Sequence, residues 1–144
     1  MKIFTIGFTR KNAEQFFTRI NQQGLLRIVD VRLNNVSQLA GFTKKSDLQF
    51  FLREICHLEY IHLPDLAPNQ NILDGYKKNG GDWPTYEKQF LHLMASRRIE
   101  EIVDQELLAG GCLLCSEPTP EHCHRRLVAE YLRGKWNDVE IRHI

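Results

Sequence analysis

Apolar positions in this chain follow two patterns that take turns from end to end. Short runs rich in β-branched and aromatic residues occur at 2–8, 27–32, 60–64 and 112–116, with a last one at about 139–144. Each is strand-length and bounded by turn or helix signals. Between them, apolar residues recur at three- and four-residue spacing, the period of a helix with one buried face. Asn12 followed by Gln15 has the form of a capping box, with Phe16, Phe17 and Ile20 as the buried stripe and Gly24 as the stop. Ser46 and Gln49 repeat the box before a helix expected to bury Phe50, Phe51, Ile55 and Cys56. Helices at roughly 84–96 and 97–109 would bury Phe90, Leu91 and Met94, then Ile99, Ile102, Val103 and Leu107, until Gly110-Gly111 breaks the pattern. Thr119 is the expected cap of the last long helix, with Pro120 at its first position, Glu121 near the positive dipole end, Leu127, Val128, Tyr131 and Leu132 facing the core, and Gly134 ending it.

Two stretches have no period. Residues 33–42 carry turn chemistry and read as a loop. Residues 65–82 read as a second loop, long for a small domain, whose Lys77-Lys78 and Gly80-Gly81 pairs suit either a lid or a plain surface excursion.

Strand and helix alternating throughout predict an α/β fold: a single domain over 1–144, with a mostly parallel sheet flanked by helices, open three-layer or Rossmann-like, joined by right-handed crossovers. There is no internal repeat, low-complexity tract or linker. Strand order does not follow from the pattern.

Composition narrows the class. At 42% hydrophobic and 26% charged, the chain is globular rather than disordered or fibrous. A net charge of +1 supplies no global field toward nucleic acid or a membrane surface, although a local basic cleft stays open. No run approaches the roughly 20 apolar residues of a membrane helix. The first residues reach Thr9-Arg-Lys-Asn12 too soon for a signal peptide, so a cytoplasmic, reducing location is expected. Four cysteines do not make a disulfide scaffold here, and Cys56, Cys112 and Cys115 sit in hydrophobic runs where a thiol acts as a small apolar group.

Candidate chemistry gathers in residues 112–125. In open α/β sheets, ligands bind beyond the carboxyl ends of the strands. Those ends carry Thr5 and Gly7, Asp30 and Arg32, Pro64 and Asp65, and Cys115 through Glu117. Cys123 is expected in the first turn of the last helix, where free amides and the adjacent His124 and Arg125 would favour a thiolate; the alternative is a core cysteine. Arg32 and Arg125 offer planar forks for phosphate or carboxylate, or structural ion pairs with Asp30 or Glu117. Cys112 and Cys115 have zinc-like spacing, but on a strand they point to opposite faces. A three-ligand set of Cys115, Cys123 and either His122 or His124 is the remaining metal arrangement, and its spacing is irregular.

The Cys115-Ser-Glu117 and Cys123-His-Arg125 elements, separated by a short proline-containing turn, are accompanied by Val29-Asp-Val-Arg32, Thr5-Ile-Gly7 and Tyr60-Ile-His-Leu-Pro64. Together they resemble domain-of-unknown-function family 488 over almost the full length. The resemblance implies an α/β domain with a pocket built from these elements, and no established reaction. It maps the characteristic positions to Thr5, Gly7, Asp30, Arg32, Cys115, Glu117, Cys123, His124 and Arg125. The chain departs from the family at Leu66-Ala67-Pro68, in place of a Leu-Gly-Gly segment, and at Asn34-Asn35, where a proline is usual.

The leading expectation is an enzyme acting on a small anionic or nucleotide-like substrate. Cys123 or Cys115 would be the nucleophile and Glu117 or Asp30 the acid–base group. Arg32, Arg125, His124, Thr5 and Gly7 would hold the substrate. The rivals are a non-catalytic module binding phosphate or nucleic acid, and a Cys/His metal-binding protein. No cofactor and no oligomeric state is indicated.

Overall fold

The structure is a computed structural model that describes residues 1–36 and 41–144. Five strands, β1 (Lys2–Gly7), β2 (Arg27–Asp30), β3 (Glu59–His62), β4 (Gly111–Cys115) and β5 (Glu140–His143), form one sheet in the order β3-β2-β4-β1-β5. Every neighbouring pair is parallel. Among the described residues, seven α-helices accompany them: α1 (Ala13–Asn21), α2 (Lys45–Phe51), α3 (Gln70–Lys77), α4 (Trp83–Arg97), α5 (Ile99–Ile102), α6 (Gln105–Leu108) and α7 (His124–Lys135).

Alternation along the strands divides the core in two. Phe4, Ile6, Ile28, Cys112 and Leu114 pack on one face with Phe16 and Ile20 of α1 and Leu48 of α2. Ile3, Val29, Leu113 and Cys115 pack on the other with Phe90 and Met94 of α4 and Leu127 and Val128 of α7. The result is the expected three-layer α/β arrangement. The path of the chain explains it: β1, β2 and β3 step toward one sheet edge, and β4 and β5 step back. Right-handed crossovers place outward and returning helices on opposite faces. β2 and β4 lie side by side and their exits diverge, which opens a crevice at their carboxyl ends.

Several elements differ from the sequence reading. The Asn12–Gln15 box forms, with hydrogen bonds of 2.8 and 2.9 Å. The Ser46–Gln49 box does not, because Asn35 O takes the Lys45 amide (2.8 Å) and α2 begins at Lys45. α2 then widens into a π turn over Leu52–Cys56. Leu48 and Leu52 become the buried pair, while the extra residue in that turn leaves Ile55 exposed, along with Phe50. β2 is shorter than residues 27–32, since the Arg32 amide turns back to Asp30 Oδ1 (3.1 Å). Of residues 33–42, positions 37–40 lie outside the described residues, and Gly41–Thr43 form a 3₁₀ turn.

Residues 65–82 are not a long loop. Pro64–Leu66 form a 3₁₀ turn and 70–77 form α3, capped by Asn69, whose side chain accepts from the Ile72 amide (2.8 Å). Residues 97–109 hold two one-turn helices in place of one, because Asp104 caps the second by accepting from the Glu106 amide (2.9 Å). Leu108 is buried there, and Ile102 is exposed.

Thr119 does not cap α7. The Pro120 carbonyl accepts from the Cys123 amide and from Arg126 Nε, and the Glu121 carbonyl accepts from Arg126 Nη2 (3.1–3.3 Å). With those acceptors taken, the helix starts at His124, Cys123 is its cap residue, and Gly134 lies inside it. No helix among the described residues is long and apolar enough to cross a membrane.

Candidate functional site

A cavity of about 280 Å³ occupies the crevice at the carboxyl ends of β2 and β4. Phe8 enters it after β1, Arg32, Leu33 and Asn34 after β2, and Cys115, Ser116 and Glu117 from the end of β4. Pro68, Leu73, Tyr76 and Lys77 close it from α3 and the segment before it, Tyr86 from α4, and His122, Cys123 and His124 from the approach to α7.

The β2 side is a closed ionic network. Asp30 is fully buried and accepts from Arg32 Nε and Nη2 at 2.8 Å each, a bidentate pair. Tyr60 donates its hydroxyl to Asp30 Oδ2 (2.6 Å) and accepts from Asn35 Nδ2 (3.2 Å). Burial and the bond to Asp30 push the Tyr60 phenol up, so it stays protonated as a donor. Arg32 Nη2 also donates to Thr43 O (2.7 Å), and its guanidinium lies 5.3 Å from the centre of the Phe8 ring. Asp30 thus holds the Arg32 fork against the pocket wall and does not line the cavity itself.

The β4 side depends on Gly7. A Cβ there would collide with the Glu117 carbonyl oxygen, so only glycine lets the chain after β4 cross β1 this closely. Thr9 N donates to Ser116 O (3.0 Å) and fastens the two exits together. The Glu117 carboxylate turns outward to Lys77 Nζ of α3, which joins that helix to the pocket rim.

Cys115 ends β4 and Cys123 caps α7; the two are paired as a disulfide, with Cα atoms 7.6 Å apart. The sequence reading kept all four cysteines reduced. Cys56 and Cys112 are free, and Cys112 packs in the core on the opposite face of the sheet. His124 lies beside the pair: one of its ring nitrogens and the two sulfurs all fall within 4.8 Å of one another. Its Nε2 lies 2.6 Å from Val31 O. A carbonyl only accepts, so Nε2 carries the hydrogen and Nδ1 keeps a bare lone pair. Burial pushes this histidine down to about 4, and it is neutral at physiological pH. His122 is held apart from the sulfurs' partner set, stacked on Trp83 with ring centres 5.0 Å apart.

Arg125 sits behind this wall, 1% exposed. Nη1 donates to Cys115 Sγ (3.3 Å) and to Glu117 O (2.8 Å), and Nε donates to Thr5 Oγ1 (3.3 Å). Burial lowers it to about 10, which leaves it cationic at neutral pH. Thr5 is fully buried and its hydroxyl meets His143 Nδ1 at 2.6 Å.

Of the residues singled out in the sequence, Arg32, Cys115, Glu117, His122, Cys123 and His124 line the cavity. Gly7, Asp30, Arg125 and Thr5 support it from behind, and Asp65 and Pro64 do not reach it. The sequence reading missed Phe8, Tyr76, Tyr86 and the use of Lys77 as the partner of Glu117. Only Lys77 left a trace there, as half of the Lys77-Lys78 pair. Asn34 and Pro68, two of the positions where the chain departs from its resembled family, both line the cavity.

The family model described as "Domain of unknown function DUF488" matches residues 12–132. No curated protein and no solved structure matches the chain.

Proposed function

Since the chain belongs to the DUF488 family, whose description assigns no activity, we propose from its own residues that it is an enzyme acting on a small anionic substrate through the Cys115–Cys123 pair. The support comes chiefly from Arg125. This buried cation has three hydrogen-bond partners among the described residues, Thr5 Oγ1, Cys115 Sγ and Glu117 O, and none is a carboxylate. The Glu117 and Glu121 carboxylates act on it only through space, and a buried charge with no counter-ion in hydrogen-bond contact is costly. A thiolate on Cys115 is the anion best placed to compensate it.

In this reading the disulfide is the resting, masked state. A phosphine or dithiol reductant breaks the S–S bond by supplying two electrons, and two protons complete the thiols. Cys115 then attacks as the thiolate, its electron pair forming the new bond to the substrate while the leaving group departs with the old one. The thiol proton leaves to solvent through the open cavity, because His124, held at about 4 by burial, is too weak a base to keep it. Arg32 and the Lys77 ammonium on the cavity wall receive the substrate's negative charge, and Asp30 keeps Arg32 oriented. Glu117, tied to Lys77, lines the cavity as the candidate acid–base group. Arg125 and Gly7 are positioning residues: one holds the sulfur, the other admits the carbonyl that holds Arg125.

The test is alkylation of the reduced protein by iodoacetate and iodoacetamide, followed residue by residue by mass spectrometry. A cationic pocket with a thiolate predicts faster modification of Cys115 by the anionic reagent, a preference lost in Arg32→Met. Equal rates with both reagents, or modification of Cys56 alone, would overturn the proposal.

A further inference from the structure

We infer that the reduced Cys115–Cys123 pair, together with His124 Nδ1, forms a three-ligand site for a zinc-type divalent ion, with its fourth position open to the pocket. Three independent features meet there. The two sulfurs and one ring nitrogen of His124 already lie within 4.8 Å of one another, two soft donors and one borderline, the donor set that zinc prefers. The second feature is the histidine's outer bond: Nε2–H to Val31 O at 2.6 Å leaves Nδ1 as the ligand atom, the arrangement by which metal-bound histidines are ordinarily oriented. The third is the backbone spacing. Cα atoms 7.6 Å apart leave room for two sulfurs to stand off from each other, about 3.8 Å apart if each lies about 2.3 Å from a tetrahedral ion. Arg125 Nη1, donating to Cys115 Sγ, supplies an outer hydrogen bond to one ligand as well.

Of the two histidines that the sequence left open, His124 is the ligand, because His122 is stacked on Trp83. The fourth position faces the cavity, where water or an oxygen of an anionic ligand completes the tetrahedron.

The inference rests on the proposed function only for its location, and it adds a second way of masking the same nucleophile. The chemistry balances in two steps. A phosphine and one water reduce the disulfide to two thiols, the phosphine becoming its oxide. The ion then binds both sulfurs and displaces two protons to solvent. Oxidation and metal binding are therefore mutually exclusive caps on Cys115.

Full-length protein, reduced with a phosphine and freed of metal, is titrated with Co²⁺ and followed by absorption. The expected result is one ion per chain, with thiolate-to-metal charge-transfer bands and the visible bands of tetrahedral cobalt, all displaced by Zn²⁺. Cys115→Ser and Cys123→Ser should each lose about half of the charge-transfer intensity, and His124→Ala and His124→Gln should each weaken binding at least about tenfold. Cys56→Ser should bind as the wild type does. Bound Zn²⁺ should also slow alkylation of Cys115, with a chelator restoring the rate. Charge-transfer bands that fail to appear overturn the inference, as does undiminished binding in both folded His124 variants, checked by circular dichroism. The two readings fail separately: loss of the iodoacetate preference with the cobalt bands intact removes the proposed function alone, and the reverse pattern removes the metal site alone.

Discussion

Replacing Asp30 by asparagine tests whether the ionic network, rather than general packing, fixes the β2 side of the pocket. Asp30 is fully buried and receives four hydrogen bonds: from the Arg32 amide, from Arg32 Nε and Nη2, and from the Tyr60 hydroxyl. An asparagine oxygen can still accept at one position. Its NH₂ group, however, is a donor facing two donors, Arg32 Nη2 and Tyr60 OH. Arg32 keeps its bond to Thr43 O but loses its buried counter-charge. Breaking one partner of a buried pair costs about 3–5 kcal/mol, more than a hydrogen bond to a charged group alone, about 1.5–3 kcal/mol. Asp30→Asn should therefore lose about 3–5 kcal/mol in urea unfolding of the oxidised protein. An Asp30→Leu/Arg32→Met double variant should recover most of that loss, since an apolar pair leaves no uncompensated charge in the interior. A single-variant loss below about 1 kcal/mol would refute the reasoning, as would a double variant less stable than Asp30→Asn.

Two further outcomes follow from the other side of the cavity. Gly7→Ala drives a methyl group into the Glu117 carbonyl and crowds Arg125 Nη1, so it should cost about 1–3 kcal/mol and slow iodoacetate modification of the reduced pair; unchanged stability and rate would count against the close crossing. His124 is held at about 4 by burial, below its ordinary 6.5. The unfolded chain therefore binds a proton that the folded chain refuses between those values, and stability rises with pH there. In oxidised, metal-free protein its contribution should be fully present above about pH 6.5 and fall by up to about 3 kcal/mol as pH drops toward 4. His124→Gln should flatten that slope in urea unfolding measured across the window, and an identical slope in the variant would remove His124 as its source.

The architecture was legible because strand-length apolar runs and helical stripes report burial directly, and burial decides the layers. Caps were legible only where no distant group intervened. Asn12–Gln15 formed, whereas Ser46–Gln49 was pre-empted when Asn35 O bound the Lys45 amide, a contact ten residues back along the same connection that the helical pattern does not record. α3 was hidden because it buries no residue completely, carries Gly75 in its interior and is flanked by turn-forming residues, Asn69 before it and Gly80-Gly81 after it. The start of α7 was misplaced for a related reason: Arg126 reaches back to carbonyls that a local reading assigns to the helix.

The site followed the same rule. Strand ends locate it, but which polar side chain faces the cavity depends on what pairs behind the wall. Gly7 is the clearest case. Its place at a strand end put it among the residues expected to hold the substrate, and what comes close to it is the Glu117 carbonyl. That carbonyl accepts from the same Arg125 Nη1 that donates to Cys115 Sγ. A glycine on β1 therefore sets the position of a guanidinium on α7, and the guanidinium sets the environment of a sulfur on β4. The surroundings of Cys115 are thus built from β1, early in the chain, and from β4 and α7, late in it. Changes at Gly7 and Arg125 should act on sulfur reactivity together rather than additively, because both work through the one Nη1 group.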